Sequence, residues 1–324
     1  MNSQVVLLTG ASGFIGSRVL EALRRRNHAV RCLVRKHLPS SSATEMIVGD
    51  ITDPVACNEA VRGVTAVIHA AGEKSQGSRY EAVNTEGTRN LLEAARLNGV
   101  SRFIHLSSVG VIGADPFRRR VYDEKSPCHP SNPYERSKWR AEKYVLKSAA
   151  EGMSVAVLRP ANVFGDRDPA QGLLTLAQTV RKERFIFIGS RTSLCNFVFV
   201  DDVAEAASFL VDHAPDATAE PIYHLDDTCT IGEFVDALSN ELEIDTPAFQ
   251  IPVPLVHILR SGLKTARLIP AVSNRTLFAR IVSLNNQASF KSSRLADEIG
   301  FQYPVGWRRG VSRLIRWYRD QGDL

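Results

Sequence analysis

The sequence predicts an α/β protein whose main part is a doubly wound parallel sheet, followed by a smaller mixed domain. Three observations predict this fold class. Short apolar runs alternate with longer amphipathic stretches, a glycine-rich segment follows the first apolar run, and the alternation stops after Pro160. Such alternation is typical of right-handed strand–helix–strand units, in which helices cover both faces of a parallel sheet.

The apolar runs are predicted to be strands because each is short and separated from the next by a polar or amphipathic stretch. In order they are residues 5–8, 29–34, 46–48, 66–69, 103–106 and 155–158. Amphipathic patterns predict helices at residues 15–26, 80–98 and 133–151. Beyond Pro160, one more strand and helix are predicted within residues 197–211, and we expect residues 197–200 to return to the main sheet.

This expected return makes the predicted domains discontinuous. We assign residues 1–165 and 196–225 to the main domain and residues 166–195 and 226–324 to the smaller domain. At 324 residues the chain is long enough to form a large core, and its length suggests about two domains.

Composition and charge exclude several functional classes. The net charge is +5, and the basic residues form no dense stripe of the kind found in nucleic-acid-binding proteins. No apolar run approaches the roughly 18 to 20 residues that span a bilayer, and no signal-peptide pattern is present. The five cysteines show neither CxxC spacing nor a histidine at metal-ligand distance, so no metal site is expected. We expect a cytoplasmic protein without membrane or nucleic-acid partners.

The glycine-rich segment follows the first strand and opens the first helix, which is the context that a dinucleotide-binding loop needs. Gly10 permits the tight turn, Gly13 lets the backbone approach a pyrophosphate, and Gly16 lets the helix pack on the strand. The free N–H groups at the helix N-terminus then bind phosphate. This loop predicts a Rossmann-type domain with a dinucleotide held by Gly10, Ser12, Gly13, Phe14, Ile15 and Gly16.

The residues after the second and third strands bear on the choice of dinucleotide. Arg35 stands where NAD enzymes usually carry an acidic residue for the ribose 2′-hydroxyl, and its charge can pair with a 2′-phosphate. NADP(H) is therefore favoured over NAD(H), although Arg35 can also be a solvated charge at a strand end. Asp50 can accept from the adenine amine while Ile51 covers the ring, and a helix-capping role for Asp50 is the alternative.

Tyr134 and Lys138 lie four residues apart, after Asn132 and Pro133, which form a good helix start. The two side chains therefore share one helical face. An ammonium near a phenol favours the phenolate and lowers its pKa, which makes the tyrosine a better acid or base. Tyrosine and lysine at this spacing also occur by chance.

Two hydroxyl side chains, Ser107 and Ser108, follow the strand at residues 103–106. Ligands of an open parallel sheet bind beyond the carboxyl ends of its strands. A serine there can donate to a substrate hydroxyl or carbonyl beside Tyr134, and one of the two serines is expected to cap the strand end instead.

Together these motifs resemble those of the extended short-chain dehydrogenase/reductases, the NAD(P)-dependent epimerase/dehydratase family. The resemblance covers nearly the whole chain. It depends on residues 9–16, 49–50, 69–72, 84–88, 106–108, 134–138, 159–165 and 198–203.

The resemblance implies a catalytic role for three residues. Tyr134 is the implied general acid/base, Lys138 the group that lowers its pKa and holds the nicotinamide ribose, and Ser108 the group that orients the reacting oxygen. The smaller domain is implied to bind the substrate.

The family motifs also imply cofactor contacts and structural roles. The cofactor contacts implied are Ala70, Ala71 and Gly72 through their backbone, with Pro160 and Val163 near the nicotinamide. We favour structural roles for Asn84, which would tie segments together, and for Asp202, which would cap its own helix.

The resemblance leaves the small-molecule substrate open between two classes. Asn162 matches an asparagine that lies near the sugar diphosphate in nucleotide-sugar enzymes, which favours an epimerase or 4-ketoreductase of a nucleotide sugar. Those enzymes commonly carry an arginine where Cys195 and Asn196 stand here, and residues 251–258 and 295–301 resemble both classes. The alternative is a reductase or dehydrogenase of hydrophobic secondary alcohols, similar to 3β-hydroxysteroid or dihydroflavonol enzymes. A third hypothesis, which we favour less, is a non-catalytic NADP sensor.

A homodimer is possible through the helices at residues 80–98 and 133–151, as in other family members. Leu91, Leu92, Trp139 and Val145 are the candidate interface residues. The alternative is that these side chains simply pack on the sheet.

Overall fold

The computed structural model describes residues 5–37, 45–213, 221–252 and 286–324, so most of the 251–258 segment lies outside the described residues. The described strands are β1 Val5–Thr9, β2 Ala29–Val34, β3 Glu45–Val48, β4 Ala66–His69, β5 Arg102–Leu106, β6 Arg120–Tyr122, β7 Ser154–Pro160, β8 Asn162–Phe164, β9 Phe187–Ile188, β10 Leu194–Cys195, β11 Phe197–Phe199, β12 Ile222–Leu225, β13 Cys229–Thr230, β14 Gln250–Ile251 and β15 Ala288–Phe290. The described helices are α1 Phe14–Arg25, α2 Pro54–Val61, α3 Gly87–Leu97, α4 Pro133–Ala150, α5 Gly172–Arg181, α6 Val200–Asp212, α7 Ile231–Leu242, α8 Arg294–Ile299 and α9 Gly306–Asp320. A π-helical turn at Glu81–Glu86 precedes α3, and short 3₁₀ helices lie at Gly77–Arg79 and Val109–Ile112.

The main sheet has seven strands in the order β3-β2-β1-β4-β5-β7-β12, and every neighbouring pair is parallel. The predicted doubly wound parallel sheet is therefore confirmed. Its central strands are buried on both faces, because α1 and α6 cover one face while α2, α3 and α4 cover the other. This arrangement brings the carboxyl ends of β1, β4 and β5 to one edge of the sheet.

The last strand of this sheet differs from the prediction. Residues 197–200 were expected to return to the main sheet, but β11 pairs with β8 in a separate two-stranded sheet. The position beside β7 is taken by β12, with Tyr223 opposite Leu158. The prediction was wrong because the aromatic side chains of β11 pack into a second core instead, so that Phe199 lies against Phe164.

This second core is formed by α5, α7 and α9 around the aromatic side chains of Phe164, Phe199 and Phe234. The predicted domain bounds, which place residues 166–195 and 226–324 in a smaller domain, stay a prediction.

The sequence suggested that Asp202 caps its own helix, and this prediction was wrong. It lies in the first turn of α6, and its two carboxylate oxygens accept from the backbone N–H groups of Val305 and Gly306, each at 2.8 Å. Asp202 therefore caps the start of α9, which lies about a hundred residues later in the chain. The carboxylate thus ties α9 to the helix that follows β11.

The four residues suggested for a dimer interface have different surroundings. Leu91, Leu92 and Val145 are buried in the core between the helices and the sheet, at 0%, 4% and 0% exposure. Trp139 is half-buried against a small cluster that contains Val111. Three of the four side chains therefore pack inside the protein, and a homodimer stays a prediction without them. Within the described part of the chain, no helix combines the length and apolar character needed to cross a membrane.

Candidate active site

The glycine loop forms a tight cradle between β1 and α1. Gly10 has a φ of +76°, and a Cβ there would lie 2.6 Å from the backbone nitrogen of Ala71. A Cβ on Gly16 would collide with the carbonyl oxygen of Gly10, so the helix could not pack this closely with any other residue. Glycine at both positions lets the loop, the helix and residues 70–72 come together.

The start of α1 is open to a ligand. Gly13 is the N-cap, no side chain caps the helix, and Gly13 itself is exposed. Ser12 is also exposed, whereas Phe14 and Ile15 are half-buried and pack towards the protein core. Uncapped N–H groups at a helix N-terminus, with their dipole, are suited to a pyrophosphate.

A hydrogen-bonded row that sequence reasoning missed supports this cradle. The hydroxyl of Thr9 contacts Nδ1 of His69 at 2.7 Å and accepts from the backbone N–H of Ala71 at 3.2 Å. Nε2 of His69 contacts the hydroxyl of Thr88 at 2.9 Å, and all three side chains are buried. The signal in the sequence was a polar residue at the end of β1 and of β4, Thr9 and His69, whereas Thr88 lies in α3.

The segment after β4 is held by Asn84, as expected. Its amide accepts from the backbone N–H of Glu73 at 2.7 Å and donates to the hydroxyl of Ser137 at 2.9 Å. Asn84 is 1% exposed and lies in the π-helical turn, so its role is structural. Gly72 lies directly beside it, because a Cβ there would lie 3.3 Å from its side-chain oxygen.

The residues suggested for the adenosine end lie in different surroundings. Burial raises the pKa of Asp50, but hydrogen bonds from Thr52 and the charges of Arg79 and Arg35 outweigh it and lower the pKa. Arg79 donates to Asp50 at 3.4 Å, and sequence reasoning missed this residue because no motif marks it. Arg35 is exposed near this carboxylate.

Ile51 differs from its neighbours because it is 6% exposed and packs into the core. A Cβ on Gly87 would lie 2.8 Å from its side chain, so Ile51 lies directly against the start of α3.

Helix α4 begins where the sequence predicts. Asn132 accepts from the backbone N–H of Glu135 at 2.9 Å, and the Glu135 side chain accepts in return from Asn132. This capping box fixes the first turn, which contains Tyr134, with Lys138 one turn later on the same face.

Lys138 is almost completely buried, at 4% exposure, and its ammonium donates to the carbonyl oxygen of Leu106 at 2.5 Å. Burial lowers the pKa of Lys138 to about 8, and the carboxylate of Glu142 opposes this shift. The lysine therefore joins α4 to the end of β5.

Tyr134 does not have the lowered pKa that the sequence suggested. Burial, followed by Tyr80 and Glu135, raises the pKa of Tyr134 to about 12. The ammonium of Lys138 is directed to Leu106 and the interior, while the ring of Tyr80 packs edge-on against Tyr134 at 5.7 Å. In this state Tyr134 is a protonated phenol at neutral pH.

The two serines after β5 have different partners. Ser107 is 6% exposed, and its hydroxyl donates to the carboxylate of Glu142. Ser108 is half-buried, and its hydroxyl accepts from the backbone N–H of Gly110 at 3.1 Å, which caps the 3₁₀ helix. Ser107 thus points into the protein, and Ser108 is the serine with a partly accessible hydroxyl.

The residues suggested near the nicotinamide and the substrate follow β7. Pro160 ends β7 and is buried, whereas Val163 is half-buried on β8. Asn162 is exposed, and its side-chain amide donates to the carbonyl oxygen of Asn196 at 3.0 Å. Cys195 is 7% exposed in β10, opposite Cys229. Neither serine nor α4 has a hydrogen bond to Asn162 or Cys195 among the described residues.

Comparisons with known proteins show the family of this chain. The family model for the NAD-dependent epimerase/dehydratase family matches residues 6–225. The N-acetyl-alpha-D-glucosaminyl-diphospho-ditrans,octacis-undecaprenol 4-epimerase of Escherichia coli O157:H7 is 30% identical over 325 residues, which cover 96% of this chain and 94% of that protein.

Two further relatives have names that point to sterols. Sterol demethylase protein B of Methylococcus capsulatus is 29% identical over 332 residues, which cover 98% of this chain and 99% of that protein. A 3 beta-hydroxysteroid dehydrogenase/Delta 5-->4-isomerase of Mycobacterium tuberculosis is 26% identical, covering 97% of this chain and 90% of that protein.

The solved structure of UDP-glucose 4-epimerase from Thermotoga maritima, with UDP-glucose, has the same fold. It is 21% identical, covers 98% of this chain and 99% of its own, and has a TM-score of 0.73. The family match over residues 6–225 and the full-length relatives lead to one conclusion: the chain belongs to the NAD-dependent epimerase/dehydratase family of extended short-chain dehydrogenase/reductases.

Proposed function

We propose that this enzyme uses NADP(H) to oxidise or reduce a secondary alcohol or ketone of a sugar diphosphate, as an epimerase or 4-ketoreductase. The observation that carries this proposal is the bond from Lys138 to Leu106, which brings Lys138 to the strand end that also bears Ser108. Tyr134 lies one turn earlier on the same helical face. These three side chains are the proposed catalytic residues.

The loop at residues 10–16 fits a dinucleotide, because the cradle has no room for a Cβ at Gly10 or Gly16 and α1 begins without a side-chain cap. We propose that the start of α1 binds the pyrophosphate and that the charge of Arg35 binds a 2′-phosphate. The other proposed contacts are Asp50, Ile51, Ala70, Ala71, Gly72, Pro160 and Val163.

The proposed chemistry divides between the cofactor and this chain. A bound nicotinamide supplies or accepts a hydride at its C4 carbon. Tyr134, a phenol with a raised pKa, donates the proton in the reduction direction and accepts it in the oxidation direction. Ser108 holds the reacting oxygen beside Tyr134, and Lys138 binds the nicotinamide ribose. Oxidation needs the Tyr134 phenolate, and for this the Lys138 ammonium would have to act on the phenol as well as on Leu106.

The sugar-diphosphate class is supported by Asn162 and by one relative. Asn162 is exposed just beyond the carboxyl end of β7, on the edge where ligands of such sheets bind. The 4-epimerase of Escherichia coli, by its name, acts on a sugar joined through a diphosphate to a polyprenol. A substrate of that kind also has a large apolar part.

A hydrophobic secondary alcohol, such as a hydroxysteroid, is the second candidate. It is favoured by Cys195, an uncharged and buried residue where nucleotide-sugar enzymes commonly have an arginine for phosphate. Two of the relatives have names that refer to sterols or hydroxysteroids.

The test is a substrate panel with the purified protein and either NADP⁺ or NAD⁺. UDP-N-acetylglucosamine, N-acetylglucosaminyl diphosphopolyprenol and a 3β-hydroxysteroid are supplied separately, and product configuration is read by NMR together with the absorbance of reduced nicotinamide. We expect a changed configuration or a ketone from a sugar diphosphate. Turnover of the steroid alone would replace the first candidate by the second, and cofactor binding without turnover of any panel member would favour a non-catalytic sensor.

A further inference from the structure

A buried ion pair lies beneath the proposed catalytic residues. Glu142 follows Lys138 by one turn of α4 and is 1% exposed. Its carboxylate accepts from Arg159 Nε at 3.0 Å and from Arg159 Nη2 at 2.7 Å, and it also accepts from the hydroxyl of Ser107. Glu142 therefore connects α4 to the ends of both β5 and β7.

The burial of this pair needs an explanation other than stability. Removing two charges from water is costly, and well-packed apolar residues of similar size are often as stable as a buried ion pair. Arg159 is 2% exposed, and its Nη1 has no hydrogen-bond partner within the described ranges. The interior here holds two cationic side chains, Lys138 and Arg159, and Glu142 is the anion between them.

The groups that face Lys138 come from every element around it. From β4 and β5, His69 and His105 are uncharged, because burial first and the Lys138 charge second lower the pKa of each. From β7, Arg159 is already paired with Glu142. On α4 itself, Tyr134 is a neutral phenol, and Glu142 is the charged group that raises the pKa of Lys138 against burial.

The last group near this pair is a thiol. Cys128 accepts from Arg159 at 3.4 Å, and burial raises its pKa, so it is a neutral thiol. The negative charge that acts on Lys138 therefore comes from Glu142.

We propose that Glu142 is a positioning residue: through its bonds to Arg159 and Ser107 it fixes the end of β5, and its negative charge keeps the buried Lys138 in the ammonium form. This inference rests on the proposed function, in which the Lys138 ammonium binds the nicotinamide ribose. Glu142 does not touch the substrate or cofactor, and it acts through Lys138 and the strand that carries Ser108.

The test measures the dissociation constant of NADPH against pH, for wild type and for Glu142→Gln. In wild type, we expect the affinity for NADPH to be constant while Lys138 is charged and to fall about tenfold for each pH unit above the pKa of Lys138. The pH at which this fall begins is called the break. Glu142→Gln keeps the shape of the side chain but removes its charge, so we expect this break to move down by about one pH unit. Glu142→Asp keeps the charge, so its break should lie within about half a pH unit of the wild-type break.

Because Glu142→Gln leaves a buried guanidinium without its partner, the double variant Glu142→Gln/Arg159→Gln carries the same test if the single variant does not fold. Lys138→Met should abolish the break, which assigns it to this lysine. Glu151→Gln removes an exposed charge at the C-cap of the same helix and is the matched control.

The outcomes are separable. A lower thermal midpoint with an unmoved break would mean that Glu142 is merely structural, and the proposal would be wrong. A break that persists in Lys138→Met would also contradict it. Failure of wild type to bind either NADPH or NADH would contradict the proposed function itself.

Discussion

The ammonium of Lys138 donates to the carbonyl oxygen of Leu106 at 2.5 Å, two residues before Ser108. This bond fixes α4 against the end of β5, where the chain leaves the sheet. It also directs the charge towards the protein interior, so the ammonium does not offset the burial that raises the pKa of Tyr134, one turn earlier, to about 12.

Tyr134→Phe tests the proton-transfer role. The Tyr134 hydroxyl has no hydrogen-bond partner among the described residues, and its ring contact with Tyr80 is retained in phenylalanine. We expect turnover to fall by about a hundredfold to ten-thousandfold while NADPH affinity and thermal midpoint stay unchanged. Steady-state rates, fluorescence titration and thermal unfolding measure the three quantities. Tyr144→Phe, on the same helix, is the matched control, and equal loss in both variants would contradict the assignment.

Gly16→Ala tests the glycine cradle. The added methyl group would collide with the carbonyl oxygen of Gly10, so α1 must move away from the loop. We expect a loss of about 1–3 kcal/mol in the free energy of unfolding, together with weaker NADPH binding. Gly172→Ala is the control, since a Cβ there meets nothing within 4 Å. Unchanged stability and binding in Gly16→Ala would show that the loop is not packed as described.

Arg35→Ser tests the cofactor preference. If Arg35 pairs with the 2′-phosphate, its loss should weaken NADPH binding by about tenfold to a hundredfold, as expected for a charge-assisted hydrogen bond. NADH, which lacks that phosphate, should change by less than about threefold. Calorimetric titration with both dinucleotides gives the ratio, and Lys36→Ser, the exposed neighbour, is the control. Equal weakening of both cofactors would contradict a contact between Arg35 and the 2′-phosphate.

His69 and His105 are adjacent buried histidines with opposite surroundings. His69 contacts Thr9 and Thr88, whereas neither ring nitrogen of His105 has a hydrogen-bond partner in the part of the chain that the structure describes. We expect His69→Leu to cost about 1–3 kcal/mol at pH 7, because two buried hydroxyls each lose one hydrogen bond. His105→Leu should cost less than half as much. Denaturant unfolding measures both, and a larger loss in His105→Leu would contradict this interpretation.

His69 also predicts that the stability of the protein falls in acid. Burial, and then the charge of Lys138, lowers the pKa of His69 to about 3, so the folded state resists a proton that the unfolded chain accepts. Its contribution to stability is complete above about pH 6.5 and is lost as pH falls towards 3, by roughly 2 kcal/mol at pH 5. His69→Leu should therefore lose less stability than wild type between pH 7 and pH 5. An unchanged difference would contradict the buried, neutral state.

Local patterns were enough to predict much of this fold. The first six strands of the main sheet in chain order read as short apolar runs, and β1 and β4 among them are buried on both faces. The glycine loop and the capping box of α4 are also local, because each depends on residues within one turn of each other. Their positions in the structure agree with the sequence.

Features set by distant residues were not predictable. Whether β11 or β12 pairs with β7 depends on where the apolar side chains of each strand are buried. The aromatic residues of β11 pack with α9 in the second core, and β12 takes the position beside β7. Asp202 caps a helix that begins at Gly306, and nothing near Asp202 in the sequence indicates this. The pairing of Glu142 with Arg159 joins a helix to a strand in the same way.

The central claim is that Tyr134 moves a proton at a dinucleotide bound to residues 10–16. Its most direct test mixes stoichiometric protein and NADP⁺ with the reactive member of the substrate panel and records the absorbance of reduced nicotinamide in a single turnover. We predict that the signal appears in wild type and is absent in Tyr134→Phe, although both bind the cofactor equally. A wild-type signal that Tyr134→Phe reproduces in full, or no dinucleotide binding in either protein, would contradict the claim.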